Sequence, residues 1–489
     1  MPLPRSFEVE GGQLSGVPAS PGSPIRAFKG IPYAAPPVGP LRWKPPQPVI
    51  PWSGVRKAEK PGPSAMQADT GAFGPWTKEF IFSNEVSEDC LYLNIWTGAT
   101  NPRERRPVLV FIHGGGFTGG SGEVVVYDGE ALAKKGLVVV TINYRLGVFG
   151  FLVHPELTKE SEHGSSGNYA LLDQLAALKW VQRNIAVFGG DPKRVTIAGQ
   201  SAGASSVHYL LASPQAKGVF HRAIAESGSR YGRPVPPRAP AEKDGLTWMK
   251  AKGADSLATL RAMPAAALLG GNGPYFNPVA DGWFLPTEGA LGFASDVPVL
   301  TGFNADEGSS STTYGKLGAA GWSAQARQRY EGKADGLLAL YPATTDSQAS
   351  ESQKASERDL SVVSMSLWAQ SRARSSRSRS FLYYFAHPIP WPQHPEFAAF
   401  HTSEVPYVFN NLRFLDRPWE PADHKLADVM SSYWANFAAK GDPNGKGLPR
   451  WNAYSDSSPN IQRLDTAITV LPLPEKPKWD FFTGLLQRR

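Results

Sequence analysis

Arg194-Val195-Thr196-Ile197-Ala198-Gly199-Gln200-Ser201-Ala202-Gly203, continuing through Ala204 to Ala212, is the stretch on which the fold turns. The β-branched run Arg194–Ala198 reads as a strand buried on both faces, and the small-to-apolar run Ala204–Ala212 reads as a helix. Between them Gly199-Gln200-Ser201-Ala202-Gly203 fits G-x-S-x-G, a turn that holds its serine in a strained backbone above the end of a sheet. Small residues at 199 and 203 let strand and helix approach closely.

Working outward, short apolar runs recur at Val108–Ile112, Leu137–Ile142, Val297–Thr301 and Phe381–Phe385. Helical periodicity separates several of them. Leu171, Leu172, Leu175, Leu178, Val181 and Ile185 keep a three-to-four residue spacing, as do Leu426, Val429, Met430, Tyr433, Trp434 and Phe437 before Gly441. Strands alternating with helices predict an α/β fold with a central, mostly parallel sheet flanked by helices. The opening differs: Phe7-Glu8-Val9-Glu10 and Ile25–Gly30 suggest a small N-terminal antiparallel meander ahead of the main sheet.

The chain has 489 residues, with 49 glycines and 44 prolines spread without period, so long loop and helix insertions are expected. No linker long enough to separate independent units is visible, and residues 1–489 are read as one domain. A content of 41% hydrophobic and 19% charged residues excludes disorder and fibrous repeats. No apolar run approaches the roughly 18 residues needed to span a bilayer. Met1-Pro2-Leu3-Pro4-Arg5 lacks the apolar stretch of a signal peptide, so either none existed or it has been removed, and the compartment stays open.

A single cysteine, Cys90, excludes an intrachain disulfide and any multi-cysteine metal site. No cofactor or metal is expected. The net charge of +7 is a weak field over this length, and neither nucleic acid nor membrane is expected as a partner. The basic stretch Arg372–Arg379 reads as an exposed helix end and linker. Monomer and homo-oligomer are both compatible with the sequence.

The chemistry-bearing segments converge on acyl transfer. His113-Gly114-Gly115-Gly116-Phe117 follows the Val108–Ile112 strand, and its glycines free backbone N–H groups to point into a cavity. Gly115, Gly116 and Ala202 N–H are candidate donors to an oxyanion, each lowering the barrier by about 3 to 4 kcal/mol. A nucleotide-phosphate cradle is the rival, but neither G-x-x-x-x-G-K-[ST] nor G-x-G-x-x-G is present there. Serine is a weak nucleophile until an imidazole takes its proton and a carboxylate fixes that imidazole. Only His387, His394, His401 and His424 follow the other motifs, and composition does not choose among them.

Phe28–Trp43, Glu88–Trp96, the His113–Phe117 loop, Asn143–Gly147, Gly167–Gln174 and Phe188–Pro192 together resemble the type-B carboxylesterase family. This is the α/β-hydrolase branch that includes bacterial para-nitrobenzyl esterases and the cholinesterases. The resemblance covers nearly the whole chain and implies an α/β-hydrolase fold and a serine esterase acting on small-molecule esters. Asn304-Ala305-Asp306-Glu307-Gly308 matches the family's acid loop and points to Glu307, although Asp306 is adjacent. His401-Thr402-Ser403-Glu404, running on to Phe409, matches the histidine segment and selects His401; His387 and His394 look like ordinary loop residues. The order Ser201, Glu307, His401 is then nucleophile, acid, base.

The same resemblance implies an Arg42–Glu88 pair, and places Glu404 and Ser227 behind the triad. Arg145 is expected to find a carboxylate, with Asp173 the first choice. Phe117 is tied to the substrate pocket by its position, while Tyr275, Phe276, Trp283 and Phe284 are pocket or core. Ala65 and Met66 stand where many relatives carry a partner cysteine, so Cys90 should be an unpaired thiol. Some members of the family are adhesion proteins lacking the serine, which leaves a non-catalytic binding module as the alternative. An amidase, lactonase or acyltransferase would use the same apparatus, whereas hydrolases needing an aspartate at the elbow are excluded by Ser201.

Overall fold

A computed structural model describes residues 6–228, 231, 234–270, 274–286 and 292–487. Met1–Arg5, read above for a signal sequence, lie outside the described residues. Eleven strands make the main sheet: β1 Val17–Pro18, β2 Arg26–Pro32, β3 Tyr92–Thr97, β4 Arg106–Ile112, β5 Val138–Ile142 and β6 Gly190–Gln200. The rest are β7 Arg222–Glu226, β8 Val299–Asn304, β9 Ser380–Phe385, β10 Ile461–Leu464 and β11 Thr469–Val470. Their spatial order is β11-β10-β9-β8-β7-β6-β4-β5-β3-β2-β1. From β5 through β4 and β6 to β10 all neighbours are parallel, and both margins are antiparallel. With helices on its faces this is the α/β-hydrolase fold.

The central strands are apolar on both faces because both are covered. Val108, Leu109, Val110, Phe111 and Ile112 are all buried, and each fully buried side chain of this size contributes about 1.5 to 3 kcal/mol. One face meets the helix Tyr169–Asn184 with Leu171, Leu175, Leu178 and Val181. The other meets the helix Pro421–Lys440 with Leu426, Met430, Tyr433, Trp434 and Phe437. The latter helix starts on a Glu420–Asp423 capping box and stops at Gly441, whose φ of 73° is the left-handed cap foreseen after Phe437.

Three expectations need correction. Phe7–Val9 pairs with Gly12–Ser15 in a separate three-stranded sheet completed by Val55–Lys57, but Arg26–Pro32 is β2 of the main sheet, so the two opening segments do not form one meander. Strand runs that look alike in sequence are sorted by which neighbour completes their hydrogen bonds. Arg372 is not on an exposed helix end: its side chain is 0% exposed, with its guanidinium over the Phe293 ring and 3.8 Å from Asp296. Arg374, Arg377 and Arg379 are exposed as expected. His387 is no idle loop residue, since its ring bridges Asp423 at 2.8 Å and Asp465 at 3.2 Å, tying β9 to the Pro421–Lys440 helix.

Other structural readings hold. Arg42 pairs with Glu88 at 2.6 Å, the Arg145 guanidinium makes two hydrogen bonds to Asp173 at 2.7 and 2.8 Å, and Cys90 is free and buried. Substituting Gly203 by Ala should strongly destabilise the protein, because the added Cβ would lie 2.0 Å from the Ile112 carbonyl oxygen. The loss expected is at least about 2 kcal/mol, read as a lowered midpoint in thermal or denaturant unfolding.

Candidate active site

The turn after β6 carries Ser201 with φ 58° and ψ −120°, a strained backbone for a residue with a side chain. Its N–H donates to the Glu226 carbonyl at 2.8 Å, and the helix Ala202–Ala212 begins at the next residue. The serine oxygen therefore stands between a sheet end and a helix N-terminus. Phe117 at 63°, Ser227 at 58° and Thr402 at 92° share the left-handed region and surround the same spot.

After β8, Asn304-Ala305-Asp306-Glu307 turns back toward the sheet, and its two carboxylates part company. Asp306 receives hydrogen bonds from Arg358 at 2.6 Å and Tyr314 at 3.0 Å. Glu307 meets His401 Nδ1 through Oε2 in a very short contact, while Oε1 accepts from Ser227 Oγ at 2.6 Å and Asn304 N–H at 2.7 Å. Burial alone would raise the Glu307 carboxyl, but the His401 charge and these hydrogen bonds hold it below its usual range. Burial would lower His401, and the Glu307 carboxylate outweighs this, so the imidazole is more basic than usual.

His401 Nε2 has its own neighbour. Among the described residues Ser201 Oγ makes no hydrogen bond to it; the Gln200 side-chain amide stands 3.2 Å away. With Nδ1–H turned to Glu307, Nε2 presents a lone pair to which the Gln200 amide donates. Such resting arrangements tighten or exchange when substrate arrives.

Behind the imidazole, Glu404 and Glu226 are completely buried. Glu404 Oε2 accepts from Asn304 Nδ2 and Glu226 Oε1 from Trp434 Nε1, both at 2.5 Å, and each carboxyl keeps one oxygen without a partner among the described residues. Burial raises both, the Glu307 charge raises Glu404 further, and ionisation of Glu226 would raise it again. Both carboxyls can thus remain protonated near neutral pH.

Two cavities meet at Ser201. One of about 520 Å³ is lined by Phe117, Ser227, Tyr275, Tyr314, Arg329 and Glu357, together with Gly116, Ser201, Ala202, Glu307 and His401. The other, of about 410 Å³, is more apolar, with Phe73, Trp76, Phe80, Ile81 and Phe82 beside Gly114, Gly115, Gly116, Ser201 and His401. Gly115 at φ 101° and Gly116 at φ 61° turn the loop between the cavities, and neither they nor Ala202 use their N–H groups within the protein among the described residues. Of the other aromatics named from sequence, only Tyr275 reaches this place, its hydroxyl donating to the Gly116 carbonyl. Phe284 is core, and Trp283 stacks on His163 elsewhere.

Residues 4–481 match the model of the carboxylesterase family. The chain belongs to the carboxylesterase family. It is 37% identical over 463 residues to the fumonisin B1 esterase of Sphingopyxis macrogoltabida, covering 88% of this chain and 82% of that protein. It is 35% identical over 482 residues to the para-nitrobenzyl esterase of Bacillus subtilis, covering 93% and 94%. Human cocaine esterase is 34% identical over 493 residues, covering 90% and 83%. This carboxylesterase therefore shares nearly its full length with enzymes named as esterases. Among the described residues no helix is long and apolar enough to cross a membrane, and no group of three His, Cys, Asp or Glu residues could hold a metal ion.

Sequence reasoning missed Gln200, Trp76 and Asn304. Gln200 occupies an open position of G-x-S-x-G, so nothing in the motif marks it. Trp76 packs edge-on to His401 at 6.4 Å and donates to Thr402 Oγ1 at 3.1 Å from a loop with no motif. Asn304 was visible as the first residue of the acid loop, yet its double role, N–H to Glu307 and side chain to Glu404, needs the fold.

The buried acids have a measurable consequence. A carboxyl with a raised folded-state pKa binds its proton more tightly in the folded protein, so stability is full below the ordinary carboxyl range and falls as pH rises toward the raised value, about 8. Glu404→Gln removes this titration. Its melting temperature relative to the native chain should be more favourable at pH 9 than at pH 6; an unchanged difference across that range would contradict the raised pKa.

Proposed function

We propose that this carboxylesterase hydrolyses small to medium carboxylic esters through an acyl-enzyme on Ser201, with His401 as base and Glu307 as the carboxylate that orients it. The observation that carries the reading is the half-buried Glu307–His401 contact, set in one cavity with a serine on a strained, accessible turn. Glu307 holds the imidazole with its proton on Nδ1, leaving Nε2 free to take the serine proton as Oγ attacks the ester carbonyl. For that transfer Nε2 must exchange the Gln200 amide for Ser201 Oγ. The tetrahedral oxyanion is then received by the unused N–H groups of Gly115, Gly116 and Ala202. The imidazolium returns the proton to the departing alcohol, and a water activated by His401 releases the acid.

Ser227 supports this geometry by donating to Glu307, and Glu404 supports it as a protonated neighbour that adds no full negative charge behind the base. Phe117 and Tyr275 line the larger of the two cavities. The two cavities give the two halves of an ester separate places, one aromatic and one polar. The names of the relatives, a para-nitrobenzyl esterase, a cocaine esterase and a fumonisin B1 esterase, support esters with sizeable substituents on one side. Residues 1–489 are proposed to form one unit, with one sheet taking strands from Val17 to Val470.

Ser201→Ala should reduce kcat for para-nitrophenyl acetate by about 10⁴ to 10⁶ while the protein stays folded. Retention of more than a few per cent of activity would remove the serine from its role.

Glu307→Gln should lower kcat by several orders of magnitude and shift the acid limb of kcat/KM to lower pH, because the imidazole loses the charge that raises its pKa. Asp306→Asn, which breaks the Arg358 pair, should lower the melting temperature more than it lowers kcat. The reverse ranking of the two variants in kcat would transfer the acid role to Asp306.

A further inference from the structure

The larger cavity at Ser201 contains a charged group that ester hydrolysis does not need. Glu357 lies on the helix Asp346–Ser375, and Leu360, Ser361 and Ser364 of the same face join it in lining the cavity. Its carboxylate comes so close to the acid loop that a Cβ on Gly308 would lie 2.5 Å from Oε2; only glycine beside Glu307 leaves it this position. Oε1 is paired with Arg329 at 3.3 Å. Oε2 accepts no hydrogen bond among the described residues.

The pair is lopsided. Arg329 is 48% exposed and Glu357 only 25%, and the guanidinium also lies 5.6 Å over the Tyr330 ring. The cation thus has water, a carboxylate and an aromatic face, while the carboxylate has one long bond and, beside Gly308 in the cavity lining, an oxygen with no hydrogen bond among the described residues. Burial pushes the Glu357 carboxyl above its usual range in spite of Arg329. The nearest other acids are committed: Asp306 to Arg358 and Tyr314, Glu307 to His401, Ser227 and Asn304. Tyr275 and Tyr314 also line the cavity, and tyrosine rings attract cations.

We propose that Glu357 is a specificity-determining residue that binds a primary ammonium group on one half of the ester, with Oε2 accepting one N–H and the tyrosine rings facing the rest of the cation. A carboxylate-bearing substrate is disfavoured, since the Glu357 carboxylate would repel it while the Arg329 guanidinium already has a partner carboxylate and water. An ammonium inserted here replaces missing solvation of Glu357, and the bond is charge-assisted and sheltered from water. Because three N–H donors fit an acceptor oxygen and a quaternary ammonium has none, the subsite separates primary from fully methylated cations.

The proposal rests on the esterase reading only in naming its ligand as part of an ester, and the test separates the two. Inhibition of para-nitrophenyl acetate hydrolysis by n-butylammonium is compared with that by methyl n-propyl ether, a neutral molecule of the same heavy-atom count that cannot accept an acyl group. Tetramethylammonium and butyrate serve as further probes. The native chain should bind n-butylammonium at least about tenfold more tightly than the ether, tetramethylammonium or butyrate. In Glu357→Gln the ratio of the ether inhibition constant to the ammonium inhibition constant, at least about ten in the native chain, should fall to about one. Arg329→Gln should raise that ratio, because it removes the competing cation.

These opposite signs come from two partners of one ion pair, so a general loss of packing cannot mimic them. Equal inhibition by ammonium and ether in the native chain, a ratio that survives Glu357→Gln, or a ratio that falls in Arg329→Gln would each overturn the subsite. Tighter binding of butyrate than of n-butylammonium would do the same and assign the cavity to Arg329. Calorimetric titration of the native and Glu357→Gln chains with n-butylammonium reads the subsite without catalysis. Binding lost in the variant, from a chain with no ester hydrolysis, would sink the esterase reading and leave the ammonium site standing; hydrolysis without such binding would do the reverse.

Discussion

Everything at the site depends on how closely the turn after β6 approaches the neighbouring strand. A side-chain carbon on Gly203 would come within 2.0 Å of the Ile112 carbonyl oxygen, and one on Gly199 within 2.5 Å of the Gly203 backbone. Only bare backbone fits at both places. That contact puts the first turn of the Ala202–Ala212 helix directly against the end of β4, where the His113–Phe117 loop starts. Consequently the start of the Ala202–Ala212 helix and the glycine loop are brought together by backbone contact, and Gly116 lines both cavities with Ser201. Strain at Ser201 is tolerated because a buried parallel sheet and a packed helix fix the residues before and after it.

The strained residues are not scattered. Of the eight non-glycine residues at positive φ among the described ones, Phe117, Ser201, Ser227 and Thr402 border the site. Each follows a group that the site needs in place: the glycine loop, β6, β7 and His401. Strand ends in a parallel sheet open onto one edge, so four chain reversals at that edge bring serine, carboxylate, imidazole and the glycine loop together from residues 113 to 404. The burial that makes this rigid also leaves carboxyls such as Glu404 and Glu226 in a medium where neutral forms are favoured.

Sequence made the sheet legible because buried parallel strands are apolar on both faces, and Val108–Ile112 or Phe381–Phe385 cannot be mistaken for surface. The elbow and the glycine loop were legible because their backbone needs special residues at fixed spacing. Less was visible where function comes from side chains at ordinary positions. Gln200 and Trp76 reach His401 by tertiary proximity alone, and Arg372 looked like one more basic residue although its guanidinium is sealed by Phe293 and Trp368. The different partners of Asp306 and Glu307 likewise lay beyond local pattern, since they depend on where Arg358 and His401 come from in space. Phe7–Val9 and Arg26–Pro32 were both readable as strands, but their assignment to separate sheets depends on which partner completes each ladder.

Cys90, alone and enclosed at the edge of β3, gives the molecule an internal clock for its own breathing. Burial holds its thiol well above the usual range, so in the closed fold almost none is present as the reactive thiolate. A thiol reagent can act only when the packing that encloses Cys90 opens. With no second cysteine in the chain, every labelled molecule records one such opening. The fold itself is indifferent to the thiol–disulfide poise around it.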